Sequence, residues 1–297
     1  MSPKNRSALI GILIALLLGG VVAIAGSAGG AALGGVPLFA LAVLAAYVVQ
    51  LLAFIPAALL QSERFFDLTG ALTYIGVSIA LVLLAPAPDL RGLVLAAMVI
   101  IWAARLGSFL FLRVRRAGED DRFAEIKQQP LVFLRVWVIQ GLWVSVTASA
   151  AWIALSGDAA ERAPMNWLAI VGVVVWLAGF AFEVIADLQK SAFKADPRNA
   201  GKFIRSGLWS TSRHPNYFGE ILLWIGVFLV AAPVLSGWQW IALLSPILVA
   251  VLLTRVSGIP LLEAKAEKRW GGQPDYEAYT SETPVLIPRL PRRGNRP

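Results

Sequence analysis

Apolar residues fall into long runs separated by short polar stretches, and the runs match the thickness of a lipid bilayer. Hydrocarbon offers no partner to an unpaired backbone N–H or C=O, so a run of about 20 apolar residues has to be helical. Eight runs qualify: about Ala8 to Ala25, Pro37 to Leu60, Leu68 to Ala85, Leu90 to Leu112, Leu131 to Leu155, Trp167 to Ile185, Phe218 to Ala232 and Trp238 to Val256. The seventh begins nearer Pro215 if that proline occupies the first helical turn, where a missing N–H is harmless. The first run, behind Lys4 and Arg6, resembles a secretory signal, but its length and the spans that follow predict a retained helix. Ile259 to Leu262 either extends the eighth helix or lies at the interface, so the pattern gives about 7–8 spans. The expected fold is an all-α polytopic transmembrane helical bundle, with cytoplasmic loops and tail capping an intramembrane cavity. Trp102, Trp137, Trp143, Trp152, Trp167, Trp209, Trp238 and Trp240 suit interfacial anchoring in several cases, although a Trp inside a span can equally be packing.

Composition excludes the soluble alternative. Hydrophobic residues make up 58% of the 297 and charged residues 15%, where a soluble domain carries about 25%. Mean hydropathy is +0.71. Cysteine is absent, which removes disulfides, thiolate chemistry and Cys-ligated metals, and the one His argues against a histidine-built metal site. The net charge of +8 is not spread evenly: 21 of the 26 Lys and Arg lie in the N-terminus, the 61–67 and 113–130 segments, the 186–214 loop and the tail from 257. The opposite segments, about 28–36, 86–89, 156–166 and 233–237, hold Arg162 alone, with Arg91 adjacent. The positive-inside rule therefore puts both termini in the cytoplasm. Such a distribution disfavours nucleic acid as a partner and predicts contact with anionic lipid at the cytoplasmic face.

Candidate chemistry gathers on that basic side. Asp67 and Thr69, in Phe65-Phe66-Asp67-Leu68-Thr69-Gly70, either cap the third helix or sit at a cavity mouth. Arg105 lies deep in the fourth span, where a charge has to pair or snorkel. Arg113, Arg115 and Arg116, followed by Glu119, Asp120, Asp121 and Arg122, read as a solvated loop or as a phosphate holder. Glu183 and Asp187 are four apart, hence on one helix face, and two carboxylates there ask for a polar or cationic partner. Gln189, Lys190 and Lys194 extend this edge into a basic loop with Arg198, Lys202 and Arg205. Then comes Ser212-Arg213-His214-Pro215-Asn216-Tyr217-Phe218-Gly219-Glu220, in which Asn216 and Glu220 share a face and Glu220 is carried toward the bilayer. A carboxyl group so placed is either functional or bonded structurally to an arginine. The tail, with Glu263, Lys265, Glu267, Lys268, Arg269, Tyr276 and Tyr279, is either solvated or closes over a nucleotide.

Phe182 to Lys190, Gly207-Leu208-Trp209 and Ser212 to Glu220 together resemble the bacterial DUF1295 proteins, related to the steroid 5-alpha-reductase and sterol reductase superfamily. The resemblance runs from about Phe65 to Pro288. It implies N-terminal helices over 1–64, a reductase-like membrane domain over 65–290 and a basic tail over 291–297, in a bacterial inner membrane. It further implies an NADPH-dependent oxidoreductase acting on a carbon–carbon double bond of a lipophilic small-molecule substrate. Asn216 and Tyr217 match an Asn-Tyr step beside the nicotinamide, Glu220 the following Glu, and Asp187 a cofactor-contacting Asp. Glu183 stands where steroid reductases have Asn, Lys194 stands where an Arg is expected, and Tyr279 resembles a C-terminal Tyr near the cofactor. The implied cofactor-binding set is thus Glu183, Asp187, Lys190, Lys194, Arg205, Arg213, His214, Asn216 and Tyr279. The implied catalytic set is Glu220 and Tyr217, with Asp67 and Tyr74 standing in for a Glu and a Tyr that hold the substrate carbonyl. No metal is implied.

Two other classes compete. A similar Arg-His-Pro-Xaa-Tyr block and Glu-containing tail occur in S-adenosylmethionine-dependent methyltransferases like isoprenylcysteine carboxyl methyltransferase. A transporter or non-enzymatic scaffold is the third reading. Polar residues gathered at one membrane face argue against a transport path, which needs some near the midplane.

Overall fold

A computed structural model describes residues 2–86, 89–117, 123, 125–158 and 163–289. Glu119 to Arg122, Arg162 and the basic tail 291–297 lie outside the described residues. Among the described residues, eight helices are long and apolar enough to cross a membrane, in the places the apolar runs predict. The helices are α1 (Pro3–Gly26), α2 (Leu38–Leu59), α3 (Phe66–Leu84), α4 (Leu90–Ala117), α5 (Pro130–Thr147), α6 (Ser149–Leu155), α7 (Trp167–Ala195), α8 (Pro215–Ala231), α9 (Leu244–Val251), α10 (Ile259–Trp270) and α11 (Pro274–Glu282). A two-stranded ribbon, Ala32–Leu33 against Val36–Pro37, links α1 to α2, and Gly34 and Gly35 supply the positive φ its tight turn requires.

Many large side chains point outward, among them Leu17, Ile24, Leu59 and Leu83. An apolar exterior of this extent is stable only against lipid. The tryptophans divide: Trp102, Trp137 and Trp152 are buried packing residues, while Trp167 and Trp238 are 73% and 78% exposed, as interfacial anchors require.

Three features depart from the sequence reading, the first being the fifth run, which divides at Ala148 into α5 and α6. Helix α7 continues ten residues beyond Ile185, because Ala, Leu, Gln and Lys keep high helix propensity after the apolar run stops. The last span is composite: a 3₁₀ stretch Gly237–Leu243, then α9, then a π-helical turn Leu252–Val256.

The chain divides into two compact units, Met1–Ile170 with Val227–Ser245 and Val171–Gly226 with Pro246–Pro297. In the first, α3 packs along α4, and α5 packs against α1 and α2. Tyr47 of α2 fills space left by Gly19 and Gly141, and its hydroxyl donates to the Ala15 carbonyl at 2.6 Å. Arg91 is buried and donates to the main-chain oxygens of Val230 at 2.5 Å, Pro164 at 2.7 Å and Ala163 at 3.3 Å. It thereby serves a carbonyl at the end of α8 that the helix cannot pair internally, and two in the segment before α7. Asp89 caps α4 by accepting from the Gly92 N–H at 2.8 Å. Phe123, Phe133 and Trp137 form a core, and the half-buried Lys127 pairs its Nζ with the buried Glu63 at 3.1 Å.

In the second unit, glycines let α7 and α8 meet backbone to backbone. A methyl group on Gly219 would lie 2.6 Å from the Gly179 oxygen and from the Glu183 nitrogen. One on Gly226 would lie 2.6 Å from the Trp176 nitrogen. Without a hydrophobic drive between helices in lipid, close van der Waals contact through small residues is what holds such a pair.

Candidate functional site

The α7–α8 contact sets the positions of the polar residues. Glu183 and Asp187, one turn apart on α7, are both buried. Asn216, in the first turn of α8, donates its amide to Asp187 Oδ1 at 3.2 Å. Glu220 lies one turn further along α8 and is half-buried.

Beyond them, the loop before α8 is built around Trp209. Its indole N–H donates to the Ala186 oxygen at 3.0 Å, the Lys190 ammonium sits 4.3 Å from the ring centre, and the Tyr279 hydroxyl donates to its carbonyl at 2.7 Å. Gln189 accepts from the Leu208 N–H at 2.9 Å. Gly207, at φ +62°, packs against the amide end of Gln189, and the left-handed backbone there favours glycine. Burial pushes the Tyr279 hydroxyl pKa well above the ordinary tyrosine value, with Arg213 opposing and Glu263 adding to the rise.

The tail is part of this structure, where sequence left it either solvated or closing over a nucleotide. The Arg213 N–H donates to the Pro284 oxygen at 2.9 Å, the Ser212 hydroxyl to the Leu286 oxygen at 2.8 Å and the Arg289 N–H to the Thr211 oxygen at 2.9 Å. Ser212 in turn accepts from the His214 N–H at 3.1 Å, just before Pro215 opens α8. From α10, Glu263 takes two donors: Arg213 Nη1 on one oxygen and His214 Nε2 on the other, the latter at 2.7 Å. The His214 ring stacks on Tyr217 with centroids 5.7 Å apart. His214 Nδ1 and Arg213 Nε are buried and meet no hydrogen-bond partner among the described residues.

Of the residues singled out from sequence, Asp187 meets Asn216, His214 meets Tyr217, and Arg213 and His214 meet through Glu263. Lys190 and Tyr279 meet through Trp209. Lys194 is exposed in the last turn of α7. Arg205 is exposed and pairs with the exposed Asp275 at 3.6 Å. Asp67 and Tyr74 belong to the first unit: Asp67 in the first turn of α3, and Tyr74 buried with its ring edge-on to Trp102 at 5.1 Å. Of the two alternatives for Asp67 and Thr69, capping of α3 or a place at a cavity mouth, neither residue takes the N-cap position. Phe65 holds the N-cap position and the Thr69 hydroxyl donates back to its carbonyl at 2.7 Å, a bond open to Thr inside a helix.

Glu263 is the residue whose role sequence reading missed. Its signal was an acidic side chain in the first turns of a helix otherwise rich in Lys and Arg, behind the last span.

The comparisons bear on a chain with this arrangement. The DUF1295 family profile, a protein family of unknown function, matches residues 53–283. The chain belongs to the DUF1295 family. It is 26% identical over 231 residues to an uncharacterized protein of Schizosaccharomyces pombe, covering 67% of this chain and 64% of that protein. It is 30% identical over 88 residues to a probable O-methyltransferase of Ustilaginoidea virens, covering 30% of this chain and 31% of that one. It is 25% identical over 140 residues to a steroid 5-alpha-reductase of Gossypium hirsutum, covering 47% of this chain and 49% of that one. The chain thus spans less than two thirds of the length of each of these relatives. All three are eukaryotic, which lends no support to a bacterial inner membrane. No solved structure matches the chain. This DUF1295 protein is therefore a multi-pass membrane protein with distant, partial similarity to a probable O-methyltransferase and a steroid 5-alpha-reductase.

Proposed function

We propose that this protein is a membrane-embedded NADPH-dependent reductase of a carbon–carbon double bond conjugated to a carbonyl in a lipophilic substrate. The observation that carries the reading is the Asp187–Asn216 contact, a buried carboxylate bonded to an amide at the close α7–α8 junction. The partial similarity to a steroid 5-alpha-reductase supports it. The donor set fits a dinucleotide. Asp187 and Glu183 offer acceptors for ribose hydroxyls or the carboxamide, and Asn216 offers both an acceptor and donors. Arg213, Lys190, Lys194 and Arg205 offer positive charge to phosphate, with Arg205 giving up an exposed pair that is worth little.

When bound, NADPH supplies a hydride to the electrophilic alkene carbon. The chain orients and polarises. Asp187, held by Asn216, has fixed acceptor geometry; Glu220, one turn from Asn216, is assigned to the nicotinamide side. A donor aimed at the substrate's carbonyl oxygen binds charge that develops only in the transition state, which is where such a bond accelerates reaction. Tyr217 is one candidate for that donor. Asp67 and Tyr74 are candidates on the family resemblance alone. Anionic lipid at the cytoplasmic face completes the proposed surroundings.

The second reading is an S-adenosylmethionine-dependent methyltransferase, favoured by the 30% identity with a probable O-methyltransferase. Binding decides between them. The detergent-purified protein is titrated with NADPH, NADH and S-adenosylmethionine, alongside Glu220→Gln and Asp187→Asn. Saturable NADPH binding, weakened about 10-fold or more by either change, is the expected result. Binding of S-adenosylmethionine alone sinks the reductase in favour of the methyltransferase. Binding of none, with the fold intact, sinks both.

A further inference from the structure

Two side chains that precede α8 end on one carboxylate. Glu263 accepts from Arg213 Nη1 on one oxygen and meets His214 Nε2 on the other at 2.7 Å. An ionised carboxylate, the form favoured by the arginine, has no proton to give, so Nε2 must carry the proton in this contact. The other ring nitrogen then projects away from α10.

Further contacts hold the ring and the backbone that carries it. One face stacks on Tyr217, 11° from parallel. The His214 backbone N–H is tied to Ser212, whose hydroxyl is tied to Leu286, and the neighbouring Arg213 N–H is tied to Pro284. The side chain is 6% exposed, and Nδ1 is buried without a hydrogen-bond partner among the described residues. A buried polar nitrogen on a ring held by Glu263 and Tyr217 calls for a partner that the described residues do not supply.

We propose that Glu263 is the positioning residue of this site: it holds His214 in the Nε2–H form, so that Nδ1, as a lone-pair acceptor, is the ring atom that meets a bound polar ligand. The proposal rests on the functional reading above for the ligand's identity only. A carboxylate that fixes a histidine tautomer through one nitrogen, leaving the other to act, is a general device.

The chain has one histidine, so ring-¹⁵N-histidine labelling of the full-length protein in detergent reports His214 alone. The wild-type spectrum is expected to show Nε2 protonated and Nδ1 in the lone-pair range. Glu263→Gln is expected to mix the tautomers, and Glu263→Asp to keep the wild-type pattern. On the same samples, whichever of NADPH and S-adenosylmethionine binds is expected to move the Nδ1 resonance and to bind about 10-fold more weakly to Glu263→Gln. A wild-type ring protonated on Nδ1 overturns the proposal. So does a Glu263→Gln spectrum identical to wild type, or ligand binding that leaves Nδ1 unmoved. If Glu263→Gln fails to fold, the wild-type spectrum and Glu263→Asp carry the same test. If neither ligand binds the folded wild type, the functional reading fails, while the tautomer comparison still decides the role of Glu263.

Discussion

Arg91 and Arg213 are both arginines held in by the fold, and they are held in opposite ways. Arg91, in the first unit, is buried and spends its donors on main-chain oxygens of Val230, Ala163 and Pro164. Arg213, in the second unit, gives Nη1 to the carboxylate of Glu263, which His214 shares. The same contrast runs through their surroundings. Tyr47, Gln140, Gln239 and Ser245 in the first unit all donate to backbone carbonyls. The second unit adds side-chain pairs between groups that titrate or bind, Asn216 with Asp187 and Glu263 with its two donors. The first unit has side-chain pairs as well, Lys127 with Glu63, Gln50 with Thr73 and Trp152 with Ser78. A polar group ending on backbone is committed to the fold; one ending on another side chain can exchange its partner for a ligand.

The contrast can be broken by substitution. Arg91→Ala strands buried carbonyl oxygens and is expected to cost about 3–5 kcal/mol, read as a large fall in melting temperature in detergent. NADPH affinity of the protein that remains folded should not change. Lost affinity at unchanged melting temperature would place Arg91 with the functional residues and erase the distinction.

Gly219→Ala drives a methyl group against the Gly179 oxygen and the Glu183 nitrogen, and neither backbone atom can swing aside. A loss of about 1–3 kcal/mol is expected, with NADPH binding weakened alongside because Glu183 and Asp187 ride on the displaced helix. Full affinity in a destabilised Gly219→Ala protein would separate the helix contact from the site.

Tyr279→Phe removes the bond to the Trp209 carbonyl and should cost about 1 kcal/mol. Its pH dependence has a definite sign. Burial raises the folded-state pKa of Tyr279, so its contribution is complete below the unfolded value of about 10 and fades only as pH rises toward the folded one. The stability gap between wild type and Tyr279→Phe should therefore be flat through neutral pH and narrow in strong alkali. A gap that changes near neutrality would assign the effect to another group.

Arg205→Ala breaks an exposed pair with Asp275 and should alter stability by less than about 0.5 kcal/mol. A fall in NADPH affinity without a stability change is the outcome that makes Arg205 a phosphate contact.

Much of this was readable in the chain. The spans followed from unpaired backbone groups having no partner in lipid, and the Glu183–Asp187 and Asn216–Glu220 faces followed from helical spacing. Gly172 and Gly179 on α7 and Gly219 and Gly226 on α8 are each seven apart, a contact pattern that only the structure brought out, since periodicity alone does not say which helices meet. The length of α7 was underread because apolar content stops at Ile185 while helix propensity does not. The structural use of Trp102, Trp137 and Trp152 was open, since an aromatic ring in a span packs or anchors with equal ease.

The sequence by itself determined a helical membrane protein of about 7–8 spans, its charge asymmetry and the polar block from Glu183 to Glu220, because each depends on local composition and period. Only the tertiary structure decided which of those polar groups meet. Asp187 and Asn216 are 29 residues apart, and His214 and Glu263 are 49 apart. Whether such pairs form depends on how α7, α8 and α10 pack, and packing is set by contacts that no single segment contains.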